Sequence, residues 1–273
     1  MTDVRAQPAP ATAEESRRNP HGSFIWYELM TPDPDGAKAF YEAVVPGWRV
    51  GPGSAEHHGY REINLDTGGH AGGLMPPNDE MIAGGAKPVW LGYIGVDDVD
   101  ETVARIEAKG GRVHLPAFDI PAIGRIAMVT DPQGIPFYVM RGAIETPSDA
   151  FSPTAEGHVS WNELMTSDPL AAREFYDALF GWTSDDFMPM GENGEYRFFG
   201  HHGATIGAVC GEMGSGNSKW RYYIRVPSIS AAVDAVKSGG GQVVMGPHEV
   251  PGGDHIIIGI DPQGAEFALV GKA

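Results

Sequence analysis

The sequence predicts an α+β protein of two similar halves, each built from two strand–helix–three-strand units. Three observations predict this. A set of motifs recurs in the same order in both halves, apolar residues switch between strand and helix periods, and short glycine-bounded strands follow each helical stretch.

The repeat sets the frame. Trp26-Tyr27-Glu28-Leu29-Met30-Thr31 returns as Trp161-Asn162-Glu163-Leu164-Met165-Thr166. Asp33-Pro34 returns as Asp168-Pro169, Phe40-Tyr41 as Phe175-Tyr176, and Gly47-Trp48 as Gly181-Trp182. Further on, Gly110-Gly111 returns as Gly240-Gly241, and Asp131-Pro132-Gln133-Gly134 as Asp261-Pro262-Gln263-Gly264. Order and spacing are kept, which chance does not produce. The expected division is a disordered tail over 1–21, a first domain over 22–145, a linker over 146–156 and a second domain over 157–273. The linker region holds two prolines and several small polar residues, the composition of an exposed connection.

Within the first half, Phe24 to Met30 is rich in aromatic and branched residues and reads as a strand. Ala37, Phe40, Tyr41 and Val44 fall on one helix face. Short strands follow around Trp48, from Tyr60 to Leu65, and from Gly72 to Met75. The order then restarts. Val89 to Val96 is a strand, Val99, Val103 and Ile106 mark a second helix face, and Gly110-Gly111 ends that helix. Strands near Val113, from Arg125 to Thr130 and from Phe137 to Met140 close the half. In the second half, Ala172, Phe175, Tyr176 and Leu179 make the first helix face. Ile229, Val233 and Val236 make the second, with Ser228 as N-cap. Each Asp-Pro-Gln-Gly segment places Asp, Pro and Gly where a type I turn favours them, joining two strands in a hairpin. One unit cannot cover its own sheet. Pairing units gives a curved mixed sheet with helices on its outer face and a cleft on the other.

Composition narrows the function. The chain has 273 residues and a net charge of −17. Three arginines in residues 1–20 balance three acidic groups there, so the negative excess lies in the body. Such a surface repels phosphate backbones and anionic lipid, which argues against nucleic-acid and membrane partners. The N-terminus lacks the apolar core of a secretory signal, so a cytoplasmic location is expected. The single Cys210 excludes an intramolecular disulfide and a thiolate zinc site, and reads as a packed structural thiol.

Four β-α-β-β-β units in two pairs, with the opening strand, the Asp-containing turn, the Phe-Tyr helix, the Gly-Trp step and the late Asp-Pro-x-Gly hairpin, resemble the vicinal-oxygen-chelate superfamily. The resemblance covers residues 22–273 and implies two glyoxalase-like domains. The superfamily includes glyoxalase I, extradiol dioxygenases, epimerases, fosfomycin-modifying enzymes and drug-sequestering resistance proteins. Fold alone does not choose among them.

In metal-dependent members the resemblance implies His, Gln or Glu ligands on the first and last strands of each unit. Anchored on the local motifs, those positions fall at Trp26 and Trp161, at Leu91 and Arg221, and at Tyr138 and Ala268. Gly72-Gly73 and Gly207 end the sheet of each first unit. None of these is a ligand, so no metal and no cofactor is expected. Glu28, Glu163, Glu266 and the pairs His57-His58 and His201-His202 are the groups left for an unorthodox site; the His pairs read as loop residues.

Side chains two apart on a strand share a face. Trp26 with Glu28, Trp161 with Glu163, and Arg221 with Tyr223 and Arg225 each share one, as do Leu91, Tyr93 and Gly95. Tyr138 and Glu266 come from the closing strands. The resemblance turns these faces to the cleft. The expected ligand set is therefore Trp26, Glu28, Tyr93, Tyr138, Trp161, Glu163, Arg221, Tyr223 and Glu266, an aromatic lining with a few charged groups. The expected function is metal-independent binding of a hydrophobic or aromatic small molecule. The alternative is a metal-dependent or metal-free enzyme of the same superfamily: without a metal, an isomerase with Glu28 or Glu163 as base and Arg221 steadying an oxyanion; with one, a lyase or dioxygenase. Plainer readings stand beside these: the tryptophans as core, the glutamates as partners of a nearby arginine. Ser160 and Asn162 place polar groups on the helix-side face. The sequence leaves open whether Trp26 faces Leu91 and Tyr138 or Arg221 and Ala268, and whether the chain is a monomer or a homodimer.

Overall fold

The computed structural model describes residues 18–212 and 216–273. The first half runs β1 (Phe24–Met30), α1 (Pro34–Val44), β2 (Trp48–Val50), β3 (Arg61–Leu65), β4 (His70–Met75), α2 (Asp79–Ala83), β5 (Val89–Gly95), α3 (Val99–Ala108), β6 (Arg112–Ile120), β7 (Gly124–Thr130) and β8 (Pro136–Gly142). The second half repeats it: β9 (Val159–Thr166), α4 (Pro169–Phe180), β10 (Phe187–Pro189), β11 (Glu195–His201), β12 (Ala204–Gly211), β13 (Lys219–Ser228), α5 (Ile229–Ser238), β14 (Gln242–Glu249), β15 (His255–Ile260) and β16 (Glu266–Lys272). The short α2 carries no buried residue and joins the two units of the first half. Lacking an apolar face, it left no periodic signal in the sequence.

Each half forms one eight-stranded mixed sheet, in the orders β2-β3-β4-β1-β5-β8-β7-β6 and β10-β11-β12-β9-β13-β16-β15-β14. The two units that share a sheet therefore belong to the same half. They meet where β1 pairs antiparallel with β5, and β9 with β13. This places Trp26 in the row of Tyr93 and Tyr138 and resolves the pairing left open by the sequence.

The helices form where the sequence places their apolar faces. Ala37, Phe40, Tyr41 and Val44 are the buried residues of α1. Ala172, Phe175, Tyr176 and Leu179 are buried in α4, with Phe180 added. Asp33 and Asp168 cap these helices by accepting from the backbone of Gly36 and Ala171, with Pro at the first helical position. Ser228 caps α5 through Ala231. In α3 and α5 the innermost positions include Thr102 and Ala232, while Val103 and Val233 are only partly buried.

One apolar core runs through both halves and takes residues from α1, α3, α4 and α5 and from both sheets. The repeated motifs clasp it. Tyr41 of α1 donates to Asp261 at 3.0 Å, and Tyr176 of α4 donates to Asp131 at 3.2 Å, each across to the other half. The second oxygen of each Asp accepts two backbone N–H groups of its own Asp-Pro-Gln-Gly turn. Gly134 and Gly264 close those turns at φ of 87° and 99°, where a side chain is strained. Trp48 donates to Gly157 O at 2.6 Å and Trp182 to Gly22 O at 2.8 Å, again reciprocally. The polar residue Asn162 on the helix-side face belongs to the same seam. It accepts from Tyr27 at 2.8 Å and donates to Ile206 O at 2.7 Å.

Residues 1–17 of the expected tail lie outside the described residues. At its end, Asn19 exchanges two hydrogen bonds with the Ser148 backbone, and His21 bonds Leu179 O. The linker is not wholly exposed. Ala150 is fully buried, and Ser148 Oγ donates to Ile25 O.

Candidate functional site

The face of each sheet opposite the helices carries a second, smaller apolar cluster. In the first half it joins Leu91, Tyr93, Ile126 and Tyr138, with Trp26, Met128 and Met140 among the partly buried residues against it. In the second half it joins Tyr223, Ile258, Ala268 and Val270, with Trp161 and Ile256. The β register explains both. Trp26 lies opposite Tyr93, whose parallel neighbour is Tyr138; Trp161 lies opposite Tyr223, whose neighbour is Ala268. One pleat along, Glu28 sits between Gly73 and Leu91, and Glu163 between Ala208 and Arg221.

In the first half Glu28 is only 3% exposed. Burial pushes its carboxyl up from 4.5 to about 7, opposed by the hydroxyls of Tyr93 and Tyr60. Its Oε1 has no hydrogen-bond partner. Trp26 donates to the Tyr60 hydroxyl at 2.6 Å. Tyr93 and Tyr138 stack with ring centroids 4.3 Å apart and planes 10° from parallel. Burial and the nearby Glu28 hold the Tyr60, Tyr93 and Tyr138 hydroxyls protonated by raising each above its ordinary value. Gly73 makes room for this group, since a Cβ there would lie 2.0 Å from the Tyr60 hydroxyl.

The second half carries the same motif with a different charge balance. Glu163 accepts from Arg221 at 2.7 Å and from Tyr223 at 3.2 Å on one oxygen, and from Tyr196 at 2.8 Å on the other. Arg221 also donates to Glu266 at 2.9 Å, and Lys219 to the other Glu266 oxygen at 2.5 Å. Although burial opposes it, Lys219 and Arg221 hold the Glu266 carboxyl below its ordinary value. Trp161 donates to Tyr196 at 2.7 Å, as Trp26 does to Tyr60.

The sequence-derived set thus falls into two groups. Trp26, Glu28, Tyr93 and Tyr138 meet in the first half; Trp161, Glu163, Arg221, Tyr223 and Glu266 meet in the second. Sequence reading missed Tyr60, Tyr196 and Lys219. The first two had a signal, because Tyr60-Arg61 and Tyr196-Arg197 occupy the same repeat position. Arg225, placed on the same face, instead pairs with Asp254 at 2.8 Å. Cys210 is buried in β12 and its thiol is pushed up to about 12, mainly by burial. His58 and His202 occupy turns at φ of 52° and 45°. His201 is buried, and burial followed by the neighbouring His202 and His21 pushes it down to about 4. A cavity of about 210 Å³ between the halves is lined by Trp90 and Trp220 and by the Lys219, Arg221 and Glu266 of the second-half network, and one of about 200 Å³ lies apart from both groups, beside Gly181 and His202.

The model of the Glyoxalase/Bleomycin resistance protein/Dioxygenase superfamily matches residues 23–139 and again 157–269. The chain belongs to this superfamily. Among its members, CFP32 of Mycobacterium tuberculosis, provisionally named a glyoxylase, is 31% identical over 264 residues, covering 92% of this chain and 95% of its own. The anthracycline biosynthesis protein DnrV of Streptomyces peucetius is 27% identical over 263 residues, 91% of this chain and 93% of its own. A Mn(II)-bound glyoxalase from Novosphingobium aromaticivorans superposes with a TM-score of 0.60 at 17% identity, covering 92% of this chain and 83% of that one. A homoprotocatechuate 2,3-dioxygenase variant from B. fuscum gives 0.65 at 14% identity, with 93% and 72% covered. At such identities the structural matches speak for the fold alone.

The donor set of this superfamily member does not fit a resident divalent ion on these strands. The first cleft offers one carboxylate, Glu28, and the second offers two, Glu163 and Glu266, both already paired with Arg221; aromatic or apolar groups fill the remaining strand positions. An ion needs several converging oxygen or nitrogen donors. Among the described residues, no three His, Cys, Asp or Glu side chains are grouped to hold one. In the second half the Arg221 guanidinium already satisfies Glu163 and would repel a cation. No helix among the described residues is long and apolar enough to cross a membrane.

Proposed function

We propose that this superfamily member binds a hydrophobic or aromatic small molecule in the clefts on the open sheet faces, without a metal ion. The observation that carries the reading is the first-half cleft. A buried carboxyl with one unpartnered oxygen sits among Trp26, Tyr60, Tyr93 and Tyr138, on strand positions that offer no ion ligands. Aromatic walls around a few polar groups are the usual chemistry of small-molecule pockets. The similarity to a protein named for anthracycline biosynthesis supports a polycyclic aromatic ligand.

The experiment is calorimetric titration with polycyclic aromatic metabolites, anthracyclines among them, in the presence of a chelator. Binding that survives the chelator and is lost in Trp26→Ala supports the reading. No binding by any compound, or binding that appears only on adding Mn(II), Fe(II) or Zn(II), removes it.

A second reading has its own observation. A carboxyl held near 7 is matched to general acid–base work at neutral pH. In that reading Glu28 moves a proton on a bound carbonyl compound, as in a metal-free isomerisation. Exchange of ligand C–H for deuterium, abolished in Glu28→Gln, would establish it over binding alone.

A further inference from the structure

The two clefts carry the same Trp-x-Glu strand motif, yet their glutamates meet different neighbours. Opposite Glu163 the register places Arg221; opposite Glu28 it places Leu91. The positions that hold Lys219 and Glu266 in the second half hold Val89 and Pro136 in the first. Both Glu163 oxygens are hydrogen-bonded and Arg221 is shared between two carboxylates, so this network is complete without a ligand. In the first half the charge and its partner are not matched. The groups facing Glu28 are the neutral hydroxyls of Tyr60 before β3, Tyr93 on β5 and Tyr138 on β8, with Glu62 acting on Tyr60. His70 at the start of β4 lies against Trp26, ring centroids 6.0 Å apart. Oε1 is left without a partner.

We infer that only the first-half cleft is a working ligand site, and that it selects planar aromatic molecules bearing a cationic or hydrogen-bond-donating group, which Glu28 receives, while rejecting aromatic carboxylates; in the second half the carboxylates are already satisfied by their own ion pairs. The inference rests on the binding function proposed above and assigns it a site and a ligand charge. A donor reaching Oε1 supplies the hydrogen bond that the protein omits, and a positive charge supplies the counter-ion that Leu91 is not. An anion would meet a buried carboxyl with no cation beside it.

The test uses three probes that share one ring system: 2-naphthylmethylamine, 2-naphthylmethanol and 2-naphthoate, titrated into the full chain near pH 7.5. The expected order is amine, then alcohol, then carboxylate, with the extremes separated by about tenfold or more, and one molecule bound per chain. Binding of the ammonium form keeps Glu28 ionised, so protons are released to the buffer. Buffers of different ionisation enthalpy report that release. Glu28→Gln removes both the amine preference and the proton release. Leu91→Arg, which gives the first half the pairing of the second, satisfies Glu28 from within and removes the amine preference. Failure of all three probes to bind removes the cleft reading and this inference together. Equal affinities, a carboxylate preference, two equivalent sites, or an amine preference that persists in Glu28→Gln overturns this inference alone.

Discussion

Replacing Glu28 by Gln should change the pH dependence of stability in a calculable way. The unfolded chain holds this carboxyl at its ordinary 4.5, and the fold holds it at about 7. The folded protein therefore binds the proton more tightly. The contribution is fully present below pH 4.5 and is lost as pH rises through about 7. A shift of that size corresponds to about 3 kcal/mol between the two limits, an upper figure because local relaxation and water entry relieve part of it. Glutamine keeps the shape and cannot ionise, so the variant lacks this loss. Urea unfolding of both proteins at pH 5 and pH 8 gives the comparison. Relative to wild type, Glu28→Gln should gain about 2–3 kcal/mol more at pH 8 than at pH 5. The difference between variants cancels the other raised carboxyls, Asp131 and Asp261. An equal effect at the two pH values would show that Glu28 is solvated or paired, and the argument built on its isolation would fall.

The second half makes the converse prediction. Arg221→Leu leaves Glu163 buried without its cation and should cost about 3–5 kcal/mol at pH 8, much of it recovered by adding Glu163→Gln; a strictly additive double-mutant cycle in denaturant unfolding would refute the pairing. Asp261→Ala strands the Tyr41 hydroxyl and the backbone N–H groups of Gln263 and Ala265, so a loss of about 3 kcal/mol or more is expected. A change under about 1 kcal/mol in the same assay would deny the clasp between halves. Gly73→Ala puts a methyl group onto the Tyr60 hydroxyl and should weaken ligand binding about tenfold or more while costing about 1–3 kcal/mol of stability; unaltered affinity would remove Tyr60 from the site. Elemental analysis of protein purified without chelators should find far less than one iron, zinc, nickel or manganese per chain, and stoichiometric metal would contradict the donor argument.

Much of this fold was legible because the duplication shows every element twice. Helix faces such as Ala37, Phe40, Tyr41 and Val44 follow from a period that only one burial pattern satisfies. The cleft residues followed from strand alternation, since Trp26 and Glu28 must share a face. Partnership was less legible. Register between β1 and β5 is a long-range choice, and no local feature told whether Trp26 would meet Tyr138 or Ala268. Tyr60, read as the first residue of a strand, was missed because it reaches the site only through the space left by Gly73 on a neighbouring strand. Asn162 and the Asp-Pro-Gln-Gly aspartates looked like a face violation and a simple turn. Their second task, accepting tyrosine hydroxyls from the other half, needs the tertiary seam to be seen.

That seam bears on function by elimination. Phe-Tyr, Gly-Trp and Asp-Pro-Gln-Gly recur because the two halves hold each other through them, so their repetition is explained by packing. Trp-x-Glu recurs without that explanation, for its side chains point away from the seam. In one half the glutamate is neutralised by Arg221, which is a complete structural account of it. In the other it is buried beside Leu91 with an oxygen unpaired, an arrangement that weakens the fold at neutral pH and that a Gln or an added Arg would relieve. A structural role accounts for Glu163 and fails for Glu28, and that asymmetry between two otherwise matching strands is the reason to look for chemistry or a ligand at the first cleft.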